Sequence, residues 1–121
     1  MLNCVIVGLG GFLGSLLRYL VGLIQLKESV SFPYKTLCIN ILGSFLIGLV
    51  AACAAKQTEL NPRWVLFLKV GVCGGFTTFS SFALETVQLI QGGRPAAAGI
   101  YLSLSVLLSV LMLLLAQALV R

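Results

Sequence analysis

A helix needs about 20 consecutive, mostly apolar residues to cross a bilayer, and this chain supplies that length four times. The runs extend from Leu2 to Leu26, interrupted only by Arg18, from Thr36 to Ala55, from Trp64 to Ile90 and from Ala96 to Val120. Three short polar connections separate them. Lys27 to Lys35 contains Pro33, Lys56 to Arg63 contains the turn signal Asn61-Pro62 just before a helix start, and Gln91-Gly92-Gly93-Arg94-Pro95 forms the last. No repeat or low-complexity tract is visible. The expectation is an all-α membrane protein, with residues 1–121 as a single four-helix transmembrane domain. The first run is read as a retained helix, because it lacks a basic leader and exceeds the ~7–15 apolar residues of a signal-peptide core.

Composition supports this. Of 121 residues, 60 % are hydrophobic and 9 % charged, against about 25 % charged in ordinary soluble domains. The only acids are Glu28, Glu59 and Glu85, and there is no Asp or His. Without a metal-ligand cluster or a nucleotide-binding loop, enzyme chemistry is not expected. The net charge is +5, but the bases stand singly at the ends of apolar runs, as helix anchors do, so no nucleic-acid stripe forms. Cys4, Cys38, Cys53 and Cys73 are too far apart for a CxxC motif and read as small apolar packing residues.

Lys/Arg excess in short loops sets membrane orientation. One side would carry Lys56, Arg63 and Arg121, with Lys69 inside the third run, and the other Lys27, Lys35 and Arg94. This near balance is either chance or the mark of a chain that inserts both ways and pairs antiparallel.

The third run contains GVCGGFTTFSSF, residues 71–82. Gly74 and Gly75 weaken a helix by about 1 kcal/mol each relative to Ala, and Thr77 and Thr78 offer the backbone other partners. The pattern fits a broken span, whose freed carbonyls attract cations, or a glycine face for close packing. Phe79 and Phe82 share one face, Ser80 and Ser81 lie between them, and Glu85 follows as a costly carboxylate within a span. Thr36, Asn40 and Ser44 form a polar stripe continued by Gly48, and Tyr101, Ser105 and Ser109 form another. Such neutral donors suit interhelical hydrogen bonds or an anion path. Gly10 and Gly14 give the first run a GxxxG face, with Arg18 one turn beyond as a snorkelling residue, a tie to another helix, or an anion-attracting charge.

Three segments carry a resemblance: Gly10-Gly11-x-x-Gly14-x-x-x-Arg18-Tyr19, Asn40-x-x-Gly43-x-Phe45, and Gly74-Gly75-Phe76-Thr77-Thr78-Phe79-Ser80-Ser81-Phe82. Together they resemble the Fluc (CrcB) fluoride channel family, which often has Thr where this chain has Ser81. The resemblance implies an antiparallel dual-topology homodimer in the cell inner membrane, passively exporting cytoplasmic fluoride through two pores at the subunit interface. It implies a central structural sodium ion on the Gly74 and Thr77 backbone carbonyls. It places Asn40, Phe79, Phe82 and Ser81 on the fluoride path, with Tyr101, Ser105 and Ser109 as its polar track. Arg18 and Glu85 match the family's first-helix arginine and the acid after the broken segment. Two other readings remain at this stage: a proton-coupled small multidrug exporter, which this acid-free first span disfavours, and a non-conducting scaffold subunit.

Overall fold

The computed structural model describes residues 1–25, 32–56 and 60–121, and among these every regular element is helical. Helix α1 covers Leu2–Gly22 and α2 covers Tyr34–Lys56. The third span, Pro62–Gln91, is assembled from pieces. These are α3 (Pro62–Val65), a π-helical stretch (Leu66–Cys73), α4 (Gly74–Phe76) and α5 (Phe79–Gln91). Helix α6 covers Pro95–Val120. All four rods are long and apolar enough to cross a membrane. Much of the first two polar connections, with Lys27, Glu28 and Glu59, lies outside the described residues.

Local chemistry sets the helix ends. Asn61 caps α3 by accepting from the Arg63 N–H at 2.9 Å, and Pro62 takes the first helical position, where its missing N–H costs nothing. After α5 the chain turns through Gly93, whose φ of +71° suits glycine, while the Gly93 and Arg94 N–H groups return to the Ile90 and Leu89 carbonyls. Helix α1 stops at Gly22, before its apolar run does. There Lys35, at the start of α2, donates to the Gly22 carbonyl at 2.9 Å. Lys56, at the other end of α2, donates to the Val120 carbonyl of α6 at 2.7 Å. Both lysines satisfy orphan carbonyls at helix C-termini, where positive charge is favoured.

Helix α2 lies along α6, and α1 lies along the π-helical stretch and α4. The second contact is made through glycines. A Cβ on Gly10 would sit 2.5 Å from the Phe67 carbonyl oxygen, and one on Gly75 would sit 2.5 Å from the Gly11 carbonyl oxygen. Gly14 abuts the Val72 carbonyl and the Phe76 amide. The GxxxG face thus brings backbones into contact, as small residues do between membrane helices. Leu37, Phe82, Leu89, Ala98 and Tyr101 form a buried cluster. Only 11–22 % of each span's most apolar window is buried, so most of the apolar surface faces outward, as lipid contact requires. The four cysteines are unpaired; Cys73 is buried, while Cys4 and Cys38 face outward rather than packing inside.

Candidate functional site

The third span breaks slightly later than the glycines suggest. Gly74, Gly75 and Phe76 remain helical, and the chain becomes extended at Thr77 (φ −77°, ψ 156°) and Thr78 (φ −150°, ψ 117°). The threonine hydroxyls explain the position. Thr77 Oγ1 donates to the Cys73 carbonyl at 2.9 Å, closing the first half, and Thr78 Oγ1 accepts from the Ser81 N–H at 3.2 Å, capping α5. Gly75 allows contact with α1, and the side of Gly74 where a Cβ would stand is open.

Asn40 of α2 clamps the break. Its Oδ1 accepts from the Thr78 N–H at 2.8 Å, and its Nδ2 donates to the Thr78 carbonyl at 3.1 Å. An unbroken helix would send the Thr78 N–H to the Gly74 carbonyl and the Ser81 N–H to the Thr77 carbonyl. Both donors are diverted here, so the Gly74 and Thr77 carbonyls lose their helical partners. The Gly75 carbonyl accepts from Arg18 Nε at 3.2 Å.

Beside the break, a cavity of about 400 Å³ opens between α2, α5 and α6. Asn40, Ser44, Thr77, Thr78, Phe79, Phe82, Ser105 and Ser109 line it, with Ile47, Val106 and Val110. Phe79 and Phe82 lie with ring centroids 5.5 Å apart. Phe82 is 8 % exposed, but Phe79 is 80 % exposed, so this ring is largely uncovered. Ser105 is 6 % exposed, and its Oγ has no hydrogen-bond partner within the protein. A serine in a helix commonly bonds the carbonyl one turn back; this one does not, and its residue borders the cavity.

A family model described as CrcB-like protein, Camphor Resistance (CrcB), matches residues 5–117. The chain belongs to the CrcB family. It is similar to proteins named fluoride-specific ion channel FluC. One from Granulibacter bethesdensis is 47 % identical over 122 residues, covering 100 % of this chain and 96 % of that protein. One from Rhizobium meliloti is 43 % identical over 120 residues, covering 98 % and 96 %. A FluC 1 protein from Nitrobacter hamburgensis is 50 % identical over 105 residues, covering 86 % and 83 %. With its four spans, this CrcB chain is a multi-pass membrane protein.

The other residues singled out in the CrcB sequence fall into separate places. Tyr101, expected beside Ser105 and Ser109, is not among the cavity's lining residues. It is fully buried, its ring packs against Phe32 and Phe82, and its hydroxyl donates to Glu85 Oε2 at 2.7 Å. Thr36 Oγ1 donates to Glu85 Oε1 at 2.7 Å, so two helices hold both carboxylate oxygens. Glu85 also lines a second cavity, of about 470 Å³, with Phe32, Pro33, Gln88, Leu89, Gly92 and Arg94. Ser81 is half-buried behind the cap, where its Oγ accepts from Thr78 Oγ1 at 3.1 Å. Sequence reasoning did not join Thr36 to Glu85. The available signal was the position of Thr36 one turn before Asn40 on the same polar stripe. Thr78 not only interrupts the helix but also caps α5 and lines the cavity.

Proposed function

We propose that this chain forms a passive, fluoride-selective channel that exports cytoplasmic fluoride across the bacterial inner membrane. The observation that carries the reading is the cavity beside the broken span, lined by Asn40, Ser44, Ser105 and Ser109 together with the two phenylalanines. Fluoride is small and strongly hydrated, so a pore must replace its water with strong donors. Hydroxyl and amide donors do this without a fixed charge that would trap the ion. The edges of Phe79 and Phe82 carry the positive part of the aromatic quadrupole and can face an anion. One Asn40 N–H is spent on Thr78 and the other is available to the ion. The names borne by the relatives agree with this chemistry.

In this reading two copies pair antiparallel, each covering the other's exposed Phe79, and two pores follow their interface. The near-equal cation counts at the two ends of the spans support insertion in both orientations. The Gly74 and Thr77 carbonyls, freed of helical donors, suit a structural sodium ion at the pair's centre. When bound, that cation offsets the cost of bringing an anion into low dielectric. Ser81 orders the cap beside the path, and Thr36 and Tyr101 orient Glu85, which lines the neighbouring cavity. The absence of an acid from α1 argues against a proton-coupled multidrug exporter, and the donor-lined cavity argues against a scaffold without conduction.

The test is efflux from liposomes loaded with fluoride or with chloride. Rapid fluoride release with chloride retained is the expected result. Equal release of both ions, or of neither, would remove the assignment.

A further inference from the structure

We propose that Arg18 is a positioning residue that reserves the Gly75 carbonyl, leaving the Gly74 and Thr77 carbonyls to the structural cation and thereby setting its preference for sodium over potassium. The inference rests on the cation reading above and assigns the control of its selectivity. Arg18 is on α1, one turn beyond Gly14, whose lack of a side chain lets α1 touch the backbone at Val72 and Phe76. Helical side chains lean toward the helix N-terminus, so the Arg18 stem runs back over that contact and brings Nε to the Gly75 carbonyl at 3.2 Å. The side chain is half-buried, and its bond spans 57 positions of sequence. It therefore ties the first helix to the break itself, not to a membrane surface.

Three carbonyls border the loss of regular winding, those of Gly74, Gly75 and Thr77, and the protein treats them differently. Gly74 and Thr77 lose their donors to Asn40 and to the Thr78 hydroxyl, whereas Gly75 receives a permanent cationic donor. The number and field strength of coordinating carbonyl dipoles help to decide between sodium and potassium. Withdrawing Gly75 from each copy keeps the ligand set small, which favours the smaller ion. Arginine suits this role because its guanidinium stays charged and donates in a fixed plane, while a lysine offers a mobile point charge. Removing the donor frees one further carbonyl from each copy and admits the larger cation.

The experiment titrates sodium and potassium separately against the thermal unfolding of the purified protein, with ionic strength held constant by a large organic cation. Wild type is expected to be stabilised at lower sodium than potassium concentration. Arg18→Gln should reduce that preference about tenfold, and Arg18→Lys should fall between. Fluoride efflux with sodium or potassium as the sole metal cation should follow the same order. A purely structural arginine would lower the melting temperature equally in both salts and leave the ratio of midpoints unchanged, which overturns the proposal. If wild type shows no cation dependence, the sodium reading fails and takes this inference with it. If wild type prefers sodium and Arg18→Gln keeps the same preference, only the Arg18 assignment fails. Should Arg18→Gln not fold, an unchanged ratio in Arg18→Lys overturns the assignment.

Discussion

The two sides of the third span are built on opposite rules. Toward α1, glycines bring backbone onto backbone, with Gly10 and Gly14 against Phe67, Val72 and Phe76 and Gly75 against Gly11. Toward α2 and α6, Asn40 bonds Thr78 and Gly43 packs against the Thr77 methyl, but beyond these contacts a cavity of about 400 Å³ remains. One side removes volume and the other preserves it. The comparison shows where tolerance to substitution should lie. The α1 side cannot accept atoms, whereas the cavity-lining positions on the α2/α6 side, Gly43 apart, should accept isosteric change structurally and lose function when their donors change.

The largest expected effect tests the crowded side. Gly14→Ala places a methyl group against the Val72 carbonyl and the Phe76 amide, backbone atoms that cannot rotate away. Overpacking typically costs about 1–3 kcal/mol and more where nothing can yield. Folded, monodisperse protein should be largely lost in size-exclusion chromatography. A Gly14→Ala variant that elutes and melts like wild type would break the contrast between the two sides.

On the open side, Asn40→Asp keeps shape and an acceptor for the Thr78 N–H, but gives up the donor to the Thr78 carbonyl and adds negative charge. Fluoride efflux should fall by about 100-fold or more as like charge meets the ion in low dielectric, with chromatographic behaviour preserved. Unchanged efflux would take Asn40 off the path. Ser105→Ala should have a smaller effect, slowing efflux about tenfold by removing one donor to a charged ion. Its stability should hold or rise, because an unpaired buried hydroxyl costs about 1–3 kcal/mol. A fall in melting temperature with normal efflux would identify Ser105 as a packing residue.

The smallest effect separates one glycine from another on the same helix. Gly8 has open space where a Cβ would stand, so Gly8→Ala should gain up to about 1 kcal/mol from helix propensity. Normal efflux and an equal or higher melting temperature are expected. A loss comparable to that of Gly14→Ala would mean that glycine content, and not contact geometry, governs α1.

What the sequence disclosed follows from what carries a signal. Four apolar runs give the spans, Asn61-Pro62 gives the start of the third, and the Gly74 to Phe82 segment gives the interruption. The exact place of that interruption was not legible, because it depends on which hydroxyl and amide groups reach Thr77 and Thr78 in three dimensions. The π-helical winding of Leu66–Cys73 left no mark in residue type either. Bonds to the fifth residue change the winding without needing particular side chains. Tyr101 shows the limit of spacing as a guide: it shares a four-residue period with Ser105 and Ser109, yet its length carries the hydroxyl to Glu85. Periodicity identifies a helix face, but side-chain length decides what each residue on it reaches.

The lysine at each end of α2 has a consequence for the bilayer. The 23 residues of α2 extend about 34 Å at 1.5 Å per residue, slightly beyond a hydrocarbon core of about 30 Å. Lys35 is fastened to the end of α1 and Lys56 to the end of α6, so neither can slide along the helix without giving up its carbonyl. The protein therefore carries a fixed gauge of membrane thickness, with an ammonium group at each mark. Inverting the chain leaves that gauge the same length, so both orientations would match the same lipid. A thinner membrane must be met by tilt or by local thickening of the lipid.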